Sequence, residues 1–320
     1  MAERILKLLR KKGDFVSGEE MSKELGITRA AIWKKINGLR KKGYIIQASP
    51  AKGYRLLKSP DLSIEDIKIL IKGNIGGEIF FYESVDSTNT AAAELAEKGT
   101  PEGTVVIADS QEKGRGRLGR SWVSPPHVNI HMSIILRPEI EPKDVTLLTI
   151  MSAVACATAL RRVTGLKVTI KWPNDLIVSG KKMGGILTEV KSDPDRIIFA
   201  VIGVGINVNM DVDMFPDDVR RIATSVRNET GKMHSRTAII VEILNELEHW
   251  YKILKRTGGK PLLSEWQQLT STLGRDVRIT VGKETFTGLA ESIDDEGMLI
   301  LRLPSGMLKK ISAGDLTILR

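Results

Sequence analysis

At 320 residues the chain is too long for one ordinary hydrophobic core and implies two or three domains. A composition of 42% hydrophobic and 27% charged residues excludes a disordered or collagen-like chain, and the one cysteine, Cys156, excludes an intramolecular disulfide and a multi-cysteine zinc cage. The net charge of +9 is concentrated: residues 1–60 hold 15 Lys and Arg against 5 Asp and Glu, while the remainder is nearly neutral. A cationic module that meets a polyanion is therefore joined to a body with another task.

In chain order, Met1–Arg10 has no apolar stretch of signal-peptide length. Ile5, Leu6, Leu8 and Leu9 predict a first short amphipathic helix. Met21 and Leu25 predict a second, ended by Gly26, and Thr28 can cap a third in which Ile32, Ile36 and Leu39 recur at i, i+4 and i+7. This is a helix-turn-helix. Tyr44–Ile46 and Tyr54–Leu57 read as two short strands around Gln47–Gly53, a wing. Opposite the apolar stripe of the third helix lie Ala30, Lys34, Asn37 and Lys41, with Arg29 and Trp33 alongside. Cations suit phosphates and Asn suits adenine edges, so this face is preferred as a DNA-binding surface over a merely solvated basic face.

Lys58–Asp61 reads as a linker, and Ser63 with Asp66 as a capping box that opens a new helix. Strands are then expected at Ile79–Tyr82, Thr104–Ala108, Asn129–Leu136, Val168–Lys171, Leu176–Val178, Ile186–Val190 and Ile197–Ile206. Long helices are expected at Val145–Val163 and Arg236–Lys255. The run Val145–Leu160 is shorter than a bilayer span and carries Thr and Ser, so it reads as a buried helix and the chain as cytoplasmic. Ser179-Gly180 predicts a hairpin, hence a mixed sheet. After Gly274, five short strands (Asp276–Val281, Thr285–Ile293, Met298–Leu303, Leu308–Ile311, Leu316–Leu319) fit a small SH3-like β-barrel.

Three segments carry chemistry. Gly114-Arg-Gly-Arg-Leu-Gly-Arg120 matches G-x-G-x-x-G literally, but no helix follows it and arginines fill its gaps, unlike a dinucleotide-binding turn. It reads as a mobile cationic loop able to close over a phosphorylated intermediate, or as a surface loop that touches nucleic acid or nothing. Lys171-Trp-Pro-Asn-Asp175, leading to Lys182, is by itself a tight turn. Asp86-Ser-Thr-Asn89 is by itself the N-cap of a helix over Asn89–Ala96. His127 and His131 are four apart, but the second falls in a predicted strand, so no metal site is assigned.

Together and in this order these segments resemble the bifunctional bacterial biotin–protein ligases, or biotin operon repressors. Gly-Arg-Gly-Arg-x-Gly-Arg stands at 114–120, Lys-Trp-Pro-Asn-Asp at 171–175, Lys-x-x-Gly-Ile-Leu at 182–187 and Gly-Val-Gly-Ile-Asn-Val at 203–208. Leu118 departs from the arginine common at its position and is given no chemical role. The resemblance implies a multidomain α+β chain. A winged helix-turn-helix DNA-binding domain occupies 1–60, and a catalytic domain with a mixed sheet, like class II aminoacyl-tRNA synthetases, occupies 61–270. An SH3-like domain occupies 271–320.

It also implies that biotin and Mg-ATP give biotinyl-5′-AMP, whose biotinyl group passes to a lysine of a biotin carboxyl carrier protein. The adenylate-bound form is a homodimer on operator DNA. Carried over by position, Ser87, Thr88, Asn89, Gln111, Arg115, Gly116, Arg117 and Lys182 bind biotin. Arg117, Arg120, Asn174 and Lys182 bind the nucleotide, and Lys182 and Arg117 are catalytic. Two rivals remain at this stage: a non-enzymatic ligand-sensing regulator, which leaves Lys171–Asp175 and Lys182 without a purpose, and a lipoate–protein ligase on the same fold.

Overall fold

The structure, a computed structural model, describes residues 1–319, which divide into two compact units.

One unit comprises Met1–Ile71 with Ser235–Val241. Helix α1 (Ala2–Lys12) buries Ile5, Leu6, Leu8 and Leu9. In α2 (Gly18–Leu25), Ser17 accepts from the Glu20 amide at 3.0 Å, and in α3 (Arg29–Lys41), Thr28 accepts from the Ala31 amide at 3.2 Å. Each cap satisfies one of the orphan donors of its first turn. The stripe Ile32/Ile36/Leu39 packs into a core with Met21, Val16 and Tyr44. Strands β1 (Ile45–Ser49) and β2 (Gly53–Lys58) pair antiparallel, so the wing turn is Pro50–Lys52, tighter than the expected Gln47–Gly53. Ser63 caps α4 (Ile64–Leu70) through the Asp66 amide, yet only half of the expected box forms. The buried Asp66 carboxylate takes Arg10 at 2.6 Å, a charge-assisted bond, and the Ser63 amide donates instead to Thr237 Oγ1 at 2.8 Å.

The other unit comprises Lys72–His234 and Glu242–Arg320. It opens with β3 (Ile79–Val85), α5 (Thr88–Glu97), β4 (Val105–Gln111), β5 (Ile130–Leu136) and α6 (Val145–Thr164). The strands β6 (Thr169–Lys171), β7 (Asp175–Val178), β8 (Lys181–Ser192) and β9 (Ile197–Ile206) complete a seven-stranded sheet of order β3-β4-β5-β9-β8-β7-β6. β3 and β4 are parallel and the other pairs antiparallel, the mixed sheet expected. Ser179 and Gly180 both take positive φ, 50° and 75°, as a type I′ hairpin turn requires. β8 runs further in both directions than the expected Ile186–Val190, because β9 offers a paired edge along its length.

By length and composition α6 could cross a membrane, but Leu148, Ile150, Met151, Val154, Cys156 and Leu160 are fully buried in this unit, which makes it a core helix. Helices α7 (Asp217–Arg220), α8 (Val226–Thr230), α9 (Arg236–Thr257) and α10 (Lys260–Leu269) follow. α7, α8 and α10 escape the sequence reading. Strands β10 (Asp276–Val281), β11 (Glu284–Ile293), β12 (Leu299–Arg302), β13 (Leu308–Ile311) and β14 (Asp315–Ile318) form a five-stranded antiparallel sheet of order β13-β12-β11-β10-β14. It is tied back through Trp172, whose amide donates to Thr272 Oγ1 at 2.9 Å and whose indole donates to Gly297 O at 3.1 Å.

Candidate active site and nucleic-acid face

The second unit contains a cavity of about 970 Å³. Ser87, Thr88, Asn89, Gln111, Arg115, Gly116, Arg117, Arg120, Asn174 and Lys182 all line it. Residues spread over almost a hundred positions are thus brought together by the strand order, which sets β4, β9, β8 and β7 around one space.

One end of the cavity is built by buried polar groups at the start of α5. Ser87 occupies the N-cap position but makes no side-chain capping bond, so the predicted cap is positional only. Thr88 is fixed through Gln111 Oε1, which accepts from its amide at 2.9 Å and its hydroxyl at 3.1 Å, while Gln111 Nε2 donates to Ser124 Oγ at 2.9 Å. Ser133 Oγ on β5 stands 2.8 Å from Thr88 Oγ1 and 2.7 Å from Asn89 Oδ1, its one proton shared between the two acceptors. Asn89 Nδ2 donates to Glu189 Oε2 at 2.7 Å and to Leu187 O at 3.3 Å. Asn89 therefore faces the cavity with its amide committed to β5 and β8. Neither Ser133 nor Glu189 was singled out in the sequence.

The loop over Gly114–Arg120 is fastened by its three arginines to three separate elements. Arg115 donates to Glu189 on β8 at 3.1 Å, Arg117 to Asn174 Oδ1 at 2.9 Å, and Arg120 forms a two-bond ion pair with Asp315 on β14. Within the loop Gly116 N donates to Arg120 O at 2.6 Å, and Leu118 takes a left-handed φ of 56° while standing exposed. Burial lowers the pKa of the Arg117 guanidinium, offset in part by Asp175 and Asp315. The ion pair with Asp315 raises that of Arg120.

Lys171 and Lys182 converge on one carboxylate. Asp175 Oδ2 lies 3.1 Å from Lys171 Nζ, and Oδ1 lies 2.6 Å from Lys182 Nζ. Burial pushes the Asp175 carboxyl up, but the two ammonium groups outweigh it and hold the group below the usual carboxylate range. Lys182 Nζ also stands 5.7 Å from the Trp122 ring centroid, within cation–π reach. Two ammonium groups on one carboxylate leave net positive charge, placed where an anionic ligand would meet it. The acidic residues lining the cavity among the described residues, Asp175 and Asp315, are thus both paired to cations, and no cluster of three or more His, Cys, Asp or Glu suits a metal there.

In the first unit the expected face of α3 is solvent-accessible. Arg29, Ala30, Lys34 and Lys41 are exposed, Trp33 is 59% exposed and Asn37 is half-buried. Arg29 pairs with Glu19 at 2.8 Å. Arg40, absent from the sequence reading, reaches Asn37 Oδ1 at 3.2 Å.

Residues 81–207 match the Biotin/lipoate A/B protein ligase family, residues 2–55 an HTH domain and residues 272–316 the Biotin protein ligase C terminal domain. The chain is 41% identical to the Bifunctional ligase/repressor BirA of Bacillus spizizenii over 95% of its own length and 94% of that protein. It is 31% identical to the protein of that description from Escherichia coli, over 96% and 94%. Among solved structures it resembles a biotin protein ligase from Aquifex aeolicus in complex with biotin and ATP. The TM-score is 0.65 at 28% identity, covering 76% of this chain and 99% of that one.

Proposed function

The chain belongs to the family of bifunctional biotin ligase/repressors, and on that premise we propose how its cavity and its basic face divide the work. The protein is an ATP-dependent biotin–protein ligase and a transcriptional repressor. The biotin carboxylate attacks the α-phosphorus of ATP, giving biotinyl-5′-AMP and pyrophosphate. The ε-amine of a lysine on a biotin carboxyl carrier domain then attacks the mixed anhydride, forming an amide and releasing AMP and a proton.

The observation that carries this reading is the meeting in one cavity of Arg115, Arg117, Lys171 and Lys182 with the buried Ser87 and Thr88 and the half-buried Gln111. Adenylation gathers negative charge on the α-phosphoryl oxygens, so it needs fixed cations more than a proton donor. Lys182, held by Asp175 and Trp122, and Arg117, held by Asn174, are such cations. The polar end at Ser87, Thr88 and Gln111 suits biotin, and Asn89 keeps that end and Glu189 in register. Asn174 and Arg120 lie toward the nucleotide. Because the lining carboxylates Asp175 and Asp315 are already paired with lysine and arginine, the cavity offers no metal cage among the described residues, and magnesium would be brought by the ATP phosphates.

The direct test is incubation with ATP, a carrier domain and either biotin or lipoate. Biotin is expected on the carrier lysine; transfer of lipoate alone, or of neither, overturns the assignment.

A related expectation concerns release. Arg117 ties the loop to Asn174, and a closed loop keeps water from the anhydride. Arg117→Gly is expected still to make adenylate, more slowly because Lys182 is left as the fixed cation, but to lose it to solution, so that an added bystander protein is biotinylated on its lysines. Retention equal to that of the original protein removes Arg117 from the gate.

The α3 face (Arg29, Ala30, Trp33, Lys34, Asn37, Lys41) binds operator DNA in this reading. The affinity for DNA is expected to fall steeply with salt, and Lys34→Ala or Lys41→Ala to reduce the slope of log K against log salt by about 1 each. A salt-independent affinity contradicts the assignment. The working form is a cytoplasmic homodimer when loaded with biotinyl-AMP, its two-fold axis matched to an inverted repeat. The division of labour follows 1–60, 61–270 and 271–320.

A further inference from the structure

Gly38 sits inside α3 without a structural reason to be glycine. Its backbone does not take a positive φ, and a Cβ built on it meets no atom within 4 Å. Nor does it end the helix: α3 continues to Lys41, and Gly43, at φ +88°, supplies the left-handed residue that follows. Glycine in a helix disfavours the fold relative to alanine, so the missing side chain needs another cause.

The surroundings point to one. Trp33, Lys34, Asn37, Gly38, Arg40 and Lys41 line a shallow depression on the helix. Lys34, Gly38 and Lys41 stand at i, i+4 and i+7, so two ammonium groups flank the bare backbone on one stripe, and Trp33, Asn37 and Arg40 form the adjacent stripe at the same spacing. A notch between cations in the cationic unit is complementary to a polyanion passing close to the helix backbone.

Beside the notch, Arg40 is anchored away from it. Its Nε and Nη2 donate to Ile46 O on β1 at 3.1 and 2.7 Å, and its Nη1 donates to Asn37 Oδ1 at 3.2 Å. The guanidinium thus ties the helix to the wing and fixes the amide of Asn37. Among the described residues Nδ2 of Asn37 has no intramolecular acceptor, and Oδ1 keeps a second lone pair. That is the donor–acceptor pair that reads an adenine edge.

We infer that the Asn37–Gly38 notch is the point of closest approach of duplex DNA, where Gly38 admits the sugar–phosphate strand, Asn37 reads a base edge, and Arg40 is the positioning residue that holds Asn37. This rests on the DNA-binding reading of α3 given above. It separates Arg40, which does not act as a phosphate contact, from Lys34 and Lys41, which do.

The test uses the full chain with biotin and ATP. The probe is a duplex that the protein itself selects from a random library, compared with a scrambled duplex of the same composition. Gly38→Ala is expected to keep or raise the melting temperature while weakening binding of the selected duplex at least about tenfold, opposite signs that a packing role cannot give. Arg40→Lys keeps the charge, so its salt slope and its binding to the scrambled duplex are expected to be unchanged, while the ratio of selected to scrambled binding falls about tenfold. If Gly38→Ala binds the selected duplex as tightly as the original protein, or Arg40→Lys keeps full discrimination, the inference is wrong. If no duplex is enriched, the DNA-binding reading of α3 fails first.

Discussion

Lys182→Ala is expected to lower biotin- and ATP-dependent pyrophosphate exchange at least about tenfold, equivalent to ~1.4 kcal/mol of barrier. The side chain sits where charge would develop: its ammonium is 2.6 Å from Asp175, over the Trp122 ring, and lines the same cavity as Arg117. An interaction that strengthens as phosphoryl charge accumulates lowers the barrier more than it tightens binding, so biotin affinity should change less than the exchange rate. Lys182→Arg keeps the cation beside Asp175 and is expected to recover part of the loss. Exchange at the original rate with a large loss of biotin affinity makes Lys182 a ligand contact and no more.

Removing Lys182 also acts on Asp175. Burial pushes that carboxyl up, and two ammonium groups hold it down. With Lys171 alone opposing burial, the carboxyl rises toward its ordinary range. Stability that this group supplies is present above its unfolded pKa and is lost as pH falls through its folded pKa, so the variant should have less of it to lose and should have lost it all at a higher pH than the original protein. Thermal melts across an acidic pH series of both proteins measure the displacement. Coincident curves mean that Lys171 alone is enough to hold Asp175 ionised.

What the sequence made legible was what repeats at short range. Ile32, Ile36 and Leu39 mark the buried stripe of α3 because one helix sets their spacing, and Ser179-Gly180 marks the hairpin because both residues tolerate positive φ. The ten cavity residues were legible through the family resemblance, nine of them within motifs that each have an ordinary structural explanation alone and Gln111 by position only. The partners that hold them were not. Arg115 to Glu189 spans 74 positions, Asn89 to Ser133 spans 44, and Arg120 to Asp315 spans 195. These pairings exist only once the strand order is fixed, and no local pattern announces them. α10 was missed for a related reason: Gly258, Gly259 and Pro261 punctuate its start as a loop would, although Leu262, Trp266 and Leu269 bury one face of it. The Ser63 box was half right because Asp66 found Arg10, a partner 56 positions away.

Gly203→Ala should be the most damaging conservative change in the cavity. Gly203 lies on β9, paired with Ser133 and Leu187 on its two sides, and a Cβ there would stand 2.2 Å from Asn89 Oδ1 and 2.9 Å from its Cγ. Asn89 cannot simply swing aside, since its amide is bound to Ser133, Glu189 and Leu187. Displacing it breaks the tie to Ser133, which also holds Thr88, and the tie to Glu189, which holds Arg115. A misplacement of about 1 Å in groups that position a substrate costs on the order of a hundredfold in rate, so biotin- and ATP-dependent pyrophosphate exchange should slow by about that factor, and biotin affinity measured by calorimetry should fall with it. The clash itself should cost ~1–3 kcal/mol of stability, enough to see in a melt while the protein stays folded. Because both effects pass through one side chain, they should not add. Once Asn89→Ala has removed the amide, introducing Gly203→Ala as well should cost little more in affinity or stability. Additive losses in the double variant, or an unchanged affinity in the single one, would mean that β9 shifts to admit the methyl group and that Asn89 does not set the geometry of the polar end.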